Sequence, residues 1–144
     1  MLTTNRFLTI FLAAAVLIVA GIIVYFYSTP APKDKFTEFY MLNADGSTAG
    51  YPHQVAAGVP VRLIIGVVNH EKLSLSYKVK LVNNGAEIAS YDIGRLPDGG
   101  KWEQAVAFTP RAAGPGQVYE FYLYTNEGNG PYIKDPLVLW LDIK

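Results

Sequence analysis

The segment LSLSYKVKLV, residues 73–82, decides the fold class because apolar and polar side chains alternate along its length. A period of two residues is typical of a β-strand with one face in a core and the other in water. The next residues, Asn83-Asn84-Gly85, predict a tight hairpin turn, since Asn and Gly accept positive φ angles. The side chains predicted to point inward are those of Leu73, Leu75, Tyr77, Val79 and Leu81.

Six further segments predict strands on either side of this one, separated by clusters of Gly, Pro, Asn and Asp. Of these, residues 60–69, PVRLIIGVVN, are almost wholly apolar and predict a central strand buried on both faces along most of its length. Seven strands in this span are typical of an all-β, immunoglobulin-like antiparallel sandwich. The other five segments are 36–42, 86–93, a strand that includes Trp102, Val106 and Phe108, then 117–125 and 137–143.

Residues 7–27, FLTIFLAAAVLIVAGIIVYFY, contain no charged residue and no proline. As a helix they would be about 31 Å long, which matches a bilayer core of about 30 Å. A cleaved secretory signal is the competing interpretation, but its apolar core spans only about 7 to 15 residues. Pro32 also disfavours cleavage at the small-residue site 29–31. The sequence therefore predicts one retained transmembrane helix that contacts the lipid bilayer.

The flanking charges decide little about orientation, because Arg6 on one side faces Lys33 and Lys35 on the other. A long folded segment behind a single N-terminal anchor is usually exported. We therefore predict a single-pass protein of the cell membrane with its C-terminal domain on the extracytoplasmic side. The predicted parts are a cytoplasmic N-terminus at 1–6, a transmembrane helix at 7–27, an extended Pro-containing linker at 28–35 and an exported sandwich domain at 36–144.

Charge and composition disfavour several classes of function. Basic and acidic side chains number 12 each, so the formal net charge is zero, which argues against nucleic acid as a partner. The chain has no cysteine and therefore no disulfide, catalytic thiol or thiolate metal site. Glycines follow turns and not a phosphate-binding pattern. We predict no cofactor.

Several aromatic motifs occur together in this chain: FTEFY at 36–40, Tyr51-Pro52, GVVNHE at 66–71, Tyr77, Trp102, FTP at 108–110, EFYLY at 120–124 and LWLDI at 139–143. Together they resemble one family, the prokaryotic predicted membrane proteins catalogued as domain of unknown function sixteen-sixteen. The similarity is to the exported module of that family and covers about residues 36–143. It implies a β module next to membrane helices, and it implies no activity. This chain has one apolar helix where several are common in the family.

The trio Asn69-His70-Glu71 is the most suggestive polar cluster. We interpret it as a strand-end turn in which Asn69 and His70 bond to nearby backbone. The alternative is a metal site that uses His53, His70 and Glu71, although a zinc site needs a further ligand beyond one His-Glu pair. No serine lies in a nucleophile elbow, so no catalytic residue is predicted.

Outward aromatic residues near the C-terminus predict a surface for protein contact. In 117–125 the alternation leaves Tyr122 and Tyr124 outside, and in 137–143 it leaves Val138 and Trp140 outside. If the two strands are neighbours, these four residues form one outer patch. The competing interpretation is that cross-strand aromatic residues only stabilise the sheet. In the apolar helix, the pairs Ala13 with Ala20 and Ala14 with Gly21 predict a small-residue face for packing against another helix.

These observations favour a non-enzymatic, single-pass membrane protein. Its exported domain would bind other membrane or envelope proteins as an accessory or structural subunit of a complex. One alternative is a membrane-tethered metal-binding protein or enzyme that uses His53, His70 and Glu71. Another alternative is a subunit of a surface filament or adhesin.

Overall fold

The computed structural model describes residues 2–29 and 34–144, and it begins with one long helix. Helix α1 spans Leu2–Ser28. Its part from Asn5 to Ser28 is long and apolar enough to cross a membrane, and none of that part is buried. The extended path expected for the linker depends on residues 30–33, which lie outside the described residues.

In the described part of the chain, eight strands follow the helix and form two sheets. The first sheet has three strands in the order β1-β3-β6, and the second has five in the order β2-β8-β7-β4-β5. All pairings are antiparallel except the short parallel one between β2 and β8. The strands are β1 Phe36–Asn43, β2 Gln54–Val55, β3 Val61–His70, β4 Leu75–Asn83, β5 Ala86–Leu96, β6 Lys101–Phe108, β7 Gly114–Thr125 and β8 Leu137–Ile143.

This architecture confirms the predicted all-β sandwich behind one apolar helix. Each of the seven expected strands is present, and the eighth, β2, has two residues and therefore too short an alternation to recognise. Strand β7 begins at Gly114, three residues before the expected start, and its register with β8 shifts between Gly114 and Gln117. The hairpin between β4 and β5 forms as expected, with Asn84 at φ 50° and Gly85 at φ 78°.

The core lies between the two sheets and is built from the inward positions of five strands. Leu73, which we expected to point inward, is 44% exposed because it precedes the first residue of β4. The buried apolar residues are Val61, Leu63, Ile65 and Val67 of β3, Leu75, Tyr77, Val79 and Leu81 of β4, Val106 and Phe108 of β6, Tyr119, Phe121 and Leu123 of β7, and Leu139, Leu141 and Ile143 of β8.

Strand β3 is the centre of its sheet, but the expectation that both its faces are buried is wrong along the outer face. Arg62 is exposed there, and Ile64 and Val68 are only half-buried. No second layer covers the outer face among the described residues. Gly66 is the exception, because the ring of Tyr40 on β1 lies where a Cβ atom of residue 66 would be.

Candidate functional site

The predicted outer patch lies on the outer face of the five-stranded sheet, where β7 and β8 are neighbours. Val118 lies opposite Trp140, and Glu120 lies opposite Val138. Trp140 is 61% exposed and Val138 is 38% exposed. Because most apolar side chains of this domain are in the core, an indole left this open is the most prominent apolar feature of the face.

The two tyrosines of the patch are in the middle of the same sheet and are half-buried. The Lys80 ammonium group lies 5.1 Å from the centroid of the Tyr124 ring. The Tyr122 hydroxyl donates to the Glu120 carboxylate at 3.2 Å, and desolvation raises the pKa of that hydroxyl. Neighbouring side chains of the sheet therefore contact both tyrosines, and Trp140 and Val138 form the open part of the patch.

A groove of about 520 Å³ lies beside Trp140, between the edge of β1 and the edge of β8, and is called the edge groove below. Tyr51 lines this groove, and its hydroxyl donates to the carbonyl of Met41 at 2.7 Å. The lining carries no Asp, Glu, Lys or Arg, so the groove is largely apolar. Its lining residues are Phe39, Tyr40, Met41, Tyr51, His53, Pro136, Leu137, Val138, Leu139 and Trp140.

The backbone of β8 is only partly paired at this groove. Strand β2 pairs with Asp142 and Ile143, and the amide of Asp142 donates to the carbonyl of His53 at 2.8 Å. Successive residues of a strand direct their backbone groups to opposite sides, so the N–H and C=O groups of Val138 and Trp140 point to the same side as those of Asp142. In the described part of the chain, no strand pairs with β8 on that side between Leu137 and Leu141.

The sequence did not reveal the edge groove. Alternation in FTEFYML places Phe39 and Met41 on one face of β1, and both side chains pack against the core. It does not show that β1 lies across from β8, because the two strands are about a hundred residues apart in the chain. Tyr51 carried a usable signal, since it is a large aromatic residue next to Pro52 in an otherwise polar loop.

His70 lies at the end of β3, and its partner differs from the expected one. Its Nε2 atom is 2.9 Å from the Glu38 carboxylate on the neighbouring strand, and its ring lies 4.7 Å from that of Phe36. The expectation of a bond to nearby backbone is therefore wrong for His70, because β1 brings a carboxylate within reach.

Asn69 behaves as expected for a strand-end turn. Its side-chain amide donates to the carbonyls of Leu73 at 2.8 Å and Leu96 at 2.9 Å. Its side-chain oxygen accepts from the amide of Glu71 at 2.9 Å. The side chain is fully buried, so all three bonds are shielded from water. Asn69 thus ties together the turn after β3 and the end of β5.

Glu71 points into a buried polar cluster and away from His70. Its carboxylate accepts a bond from the Thr37 hydroxyl at 3.0 Å, and that hydroxyl lies 2.8 Å from the hydroxyl of Tyr77. Tyr132, in the loop before β8, approaches the same carboxylate. Desolvation, together with the neighbouring Glu71, raises the pKa of Tyr132 to about 12. This cluster fastens the 126–136 loop to the ends of the strands.

The fold does not bring together the three residues of the alternative metal site. His70 and Glu71 take separate partners, and His53 lies in the edge groove beside β8. Within residues 2–29 and 34–144, no group of three His, Asp or Glu side chains is close enough to hold a metal ion. His53, His70 and Glu71 are therefore not brought into one site.

The small residues proposed for helix packing lie on α1 and are exposed. A Cβ atom added at Gly21 would meet no other atom within 4 Å. The role of these small residues in helix association stays a prediction. The residues concerned are Ala13, Ala14, Ala20 and Gly21.

Known proteins resemble this chain in sequence and in fold. A family model described as Domain of unknown function (DUF1616) matches residues 30–141. The chain belongs to this family. That assignment confirms the resemblance noted in the sequence, and one apolar helix followed by such a β domain fits a membrane-anchored module. A search of curated proteins gave no match.

Solved structures share the fold of this chain at low sequence identity. The CARDB domain of the PF1109 protein from Pyrococcus furiosus, in complex with di-metal ions, has a TM-score of 0.54 at 14% identity and covers 81% of this chain and 95% of its own. A chain of the human seminal plasma complex between zinc 2-glycoprotein and prolactin inducible protein has a TM-score of 0.52 at 13% identity, covering 80% and 100%. Red sea bream transglutaminase has a TM-score of 0.50 at 12% identity, covering 81% and 15%. The likenesses concern the fold alone.

Proposed function

We propose that this protein is a single-pass, membrane-anchored and non-enzymatic module whose β-sandwich binds another membrane or envelope protein. In this role it is an accessory or structural subunit of a larger complex. The observation that carries the proposal is Trp140, which is 61% exposed at the rim of the apolar edge groove. Tryptophan is enriched among the residues that dominate binding energy at protein interfaces.

The surroundings of Trp140 suit a protein partner. Val138 and the edge groove extend the apolar surface beside the indole, while Glu120 and Lys80 supply charged groups farther along the same sheet. An apolar centre with polar groups around it is the usual composition of a protein interface. A small polar substrate would find few hydrogen-bonding side chains in this groove.

The polar clusters of the domain support a non-catalytic role. Asn69 bonds to the backbone of the turns around it, and Glu71 bonds within the cluster of Thr37 and Tyr77. Both sets fasten loops to strand ends. The CARDB domain similar in fold binds two metal ions, but three-ligand clusters do not occur in the described part of this chain.

The helix gives the protein its location in this proposal. Asn5–Ser28 crosses the cell membrane once, and the sandwich lies on the extracytoplasmic side. The exposed small-residue face of α1, with Ala13 and Gly21 at its two ends, provides a second contact within the bilayer. Binding through two linked contacts strengthens assembly, because the first contact raises the local concentration for the second.

The test is native purification of the full-length chain in a mild detergent, followed by mass determination of what co-migrates. Trp140→Ala should weaken the complex roughly 30-fold, which corresponds to about 2 kcal/mol for an aromatic interface anchor. Ile88→Ala is the matched control, since Ile88 is also an exposed apolar residue but belongs to β5. A wild-type chain that runs alone, or equal complex recovery for both variants, would contradict the proposal.

A further inference from the structure

We infer that the partner binds by strand addition, with one of its extended segments pairing with β8 between Leu137 and Leu141, in line with β2. This inference rests on the proposed function and specifies how the partner is held. The occupant is an uncharged segment of a second protein with apolar side chains at alternate positions.

The unpaired backbone of β8 determines that the occupant is an extended strand. Val138 and Trp140 direct two N–H donors and two C=O acceptors toward the open side of β8. The next residue in this series, Asp142, already donates to the carbonyl of His53 at 2.8 Å, and Lys144 donates to that of Val55 at 3.0 Å. A partner strand would therefore continue an existing ladder by up to four hydrogen bonds.

Residues 50–52, which come before β2 in the chain, do not extend this ladder to Trp140 and Val138. The carbonyl of Gly50 accepts a bond from the Asn43 side chain at 2.9 Å, at the end of β1. The Tyr51 hydroxyl is directed to the carbonyl of Met41. These contacts hold residues 50–52 toward β1 and leave the first half of the β8 edge open.

The groove determines the side chains of the occupant. A strand beside β8 would point every second side chain into the edge groove, toward Phe39, Met41 and Leu139. Among the described residues, the lining carries no Asp, Glu, Lys or Arg, so a charged side chain there would lose water without forming a salt bridge to such a group. The remaining side chains of the strand would lie next to Trp140 on the outer face.

Proline at position 138 tests the backbone directly. Val138→Pro removes an N–H group that faces the open edge and no bond to β7, and proline is tolerated at such edge positions. Val138→Ala is the matched control, because it shortens the side chain but keeps the N–H group. In the native purification of full-length chains, Val138→Pro should reduce complex recovery at least about tenfold, and Val138→Ala no more than about threefold.

Amide hydrogen exchange supplies a second measurement that needs no variant. The amides of Val138 and Trp140 should exchange at least about tenfold more slowly in the co-purified complex than in the chain isolated without its partner in the same detergent. The amides of Leu139 and Leu141, which face β7, should be slow in both preparations. This comparison decides the matter if Val138→Pro fails to fold.

The outcomes separate this inference from the proposed function. A complex that forms with wild type but shows no added protection at Val138 and Trp140 would overturn strand addition and leave the binding role intact. Equal losses for the proline and alanine variants would do the same. A wild-type chain without any complex contradicts the proposed function. If the amides of Val138 and Trp140 become protected from exchange in the purified chain alone as its concentration rises, a second copy of this chain pairs with the edge. That result would contradict the inference that the occupant is a different protein.

Discussion

Replacing Asn69 by alanine should destabilise the sandwich by about 3 kcal/mol, because the side chain makes three hydrogen bonds without any access to water. Each such bond contributes a net stabilisation of about 1 kcal/mol, and a partner left dry and unpaired costs more. For a domain of this size the loss corresponds to a fall in melting temperature of roughly 10 to 20 °C. Asn69→Asp should destabilise at least as much, since an oxygen would then face the carbonyls of Leu73 and Leu96.

The assay is urea or thermal unfolding of the full-length chain in a mild detergent, followed by the circular dichroism of the β-sheet. Asn83→Ala is the matched control, because the Asn83 side chain is half-buried and makes one bond, to the carbonyl of Val118 at 2.9 Å. Asn83→Ala should lower the free energy of unfolding by about 1 kcal/mol. If Asn69→Ala is no more destabilising than Asn83→Ala, the view of Asn69 as the residue that joins the turns is refuted.

Three further predictions concern other parts of the domain. Tyr132→Phe should remove a late-ionising tyrosine from an absorbance titration, because the folded pKa of Tyr132, about 12, lies above the ordinary value of 10.0. Stability linked to this group is present below pH 10 and declines as the pH rises toward 12, and equal decline in Tyr132→Phe would contradict the assignment. Gly66→Ala should displace the Tyr40 ring and destabilise by about 1 kcal/mol, whereas in a Tyr40→Ala background it should stabilise by about 0.5 to 1 kcal/mol. A cysteine introduced at Glu127 should react with an impermeant maleimide in intact cells, and reaction only after lysis would reverse the orientation.

The fold could be predicted from the sequence because local signals agree along most strands. In β4 the alternation from Leu75 to Leu81 states which face is buried, and Asn84-Gly85 fixes the turn that follows. Strand β8 has the expected bounds for the same reason. Where alternation is missing the interpretation fails, as in β3, whose apolar outer face indicated a second layer that the described residues do not supply.

The sequence alone does not show which distant strands pair with each other. Glu38 reaches His70 only because β1 pairs with β3. Thr37 meets Glu71 for the same reason, at a sequence separation of 34. The period of a strand states on which face a side chain lies, and it does not state which strand lies beside it. The hydrogen-bond partners of His70 and Glu71 could therefore not be predicted from the sequence. The turn-forming role of Asn69 was predictable because it depends on residues close to it in the chain.

The same limit explains why the predicted patch divides into two parts. Tyr122 and Trp140 both occupy outward positions, but Tyr122 lies on an inner strand of the sheet, opposite Lys80 of β4. Side chains from neighbouring strands reach a residue in the middle of a sheet from both sides. Trp140 has β7 on one side only, since β2 begins its pairing at Asp142. On an edge strand, an outward side chain is exposed to solvent and the backbone N–H and C=O groups on the free side are unpaired. The residue best exposed for contact therefore also lies where a further strand can bind.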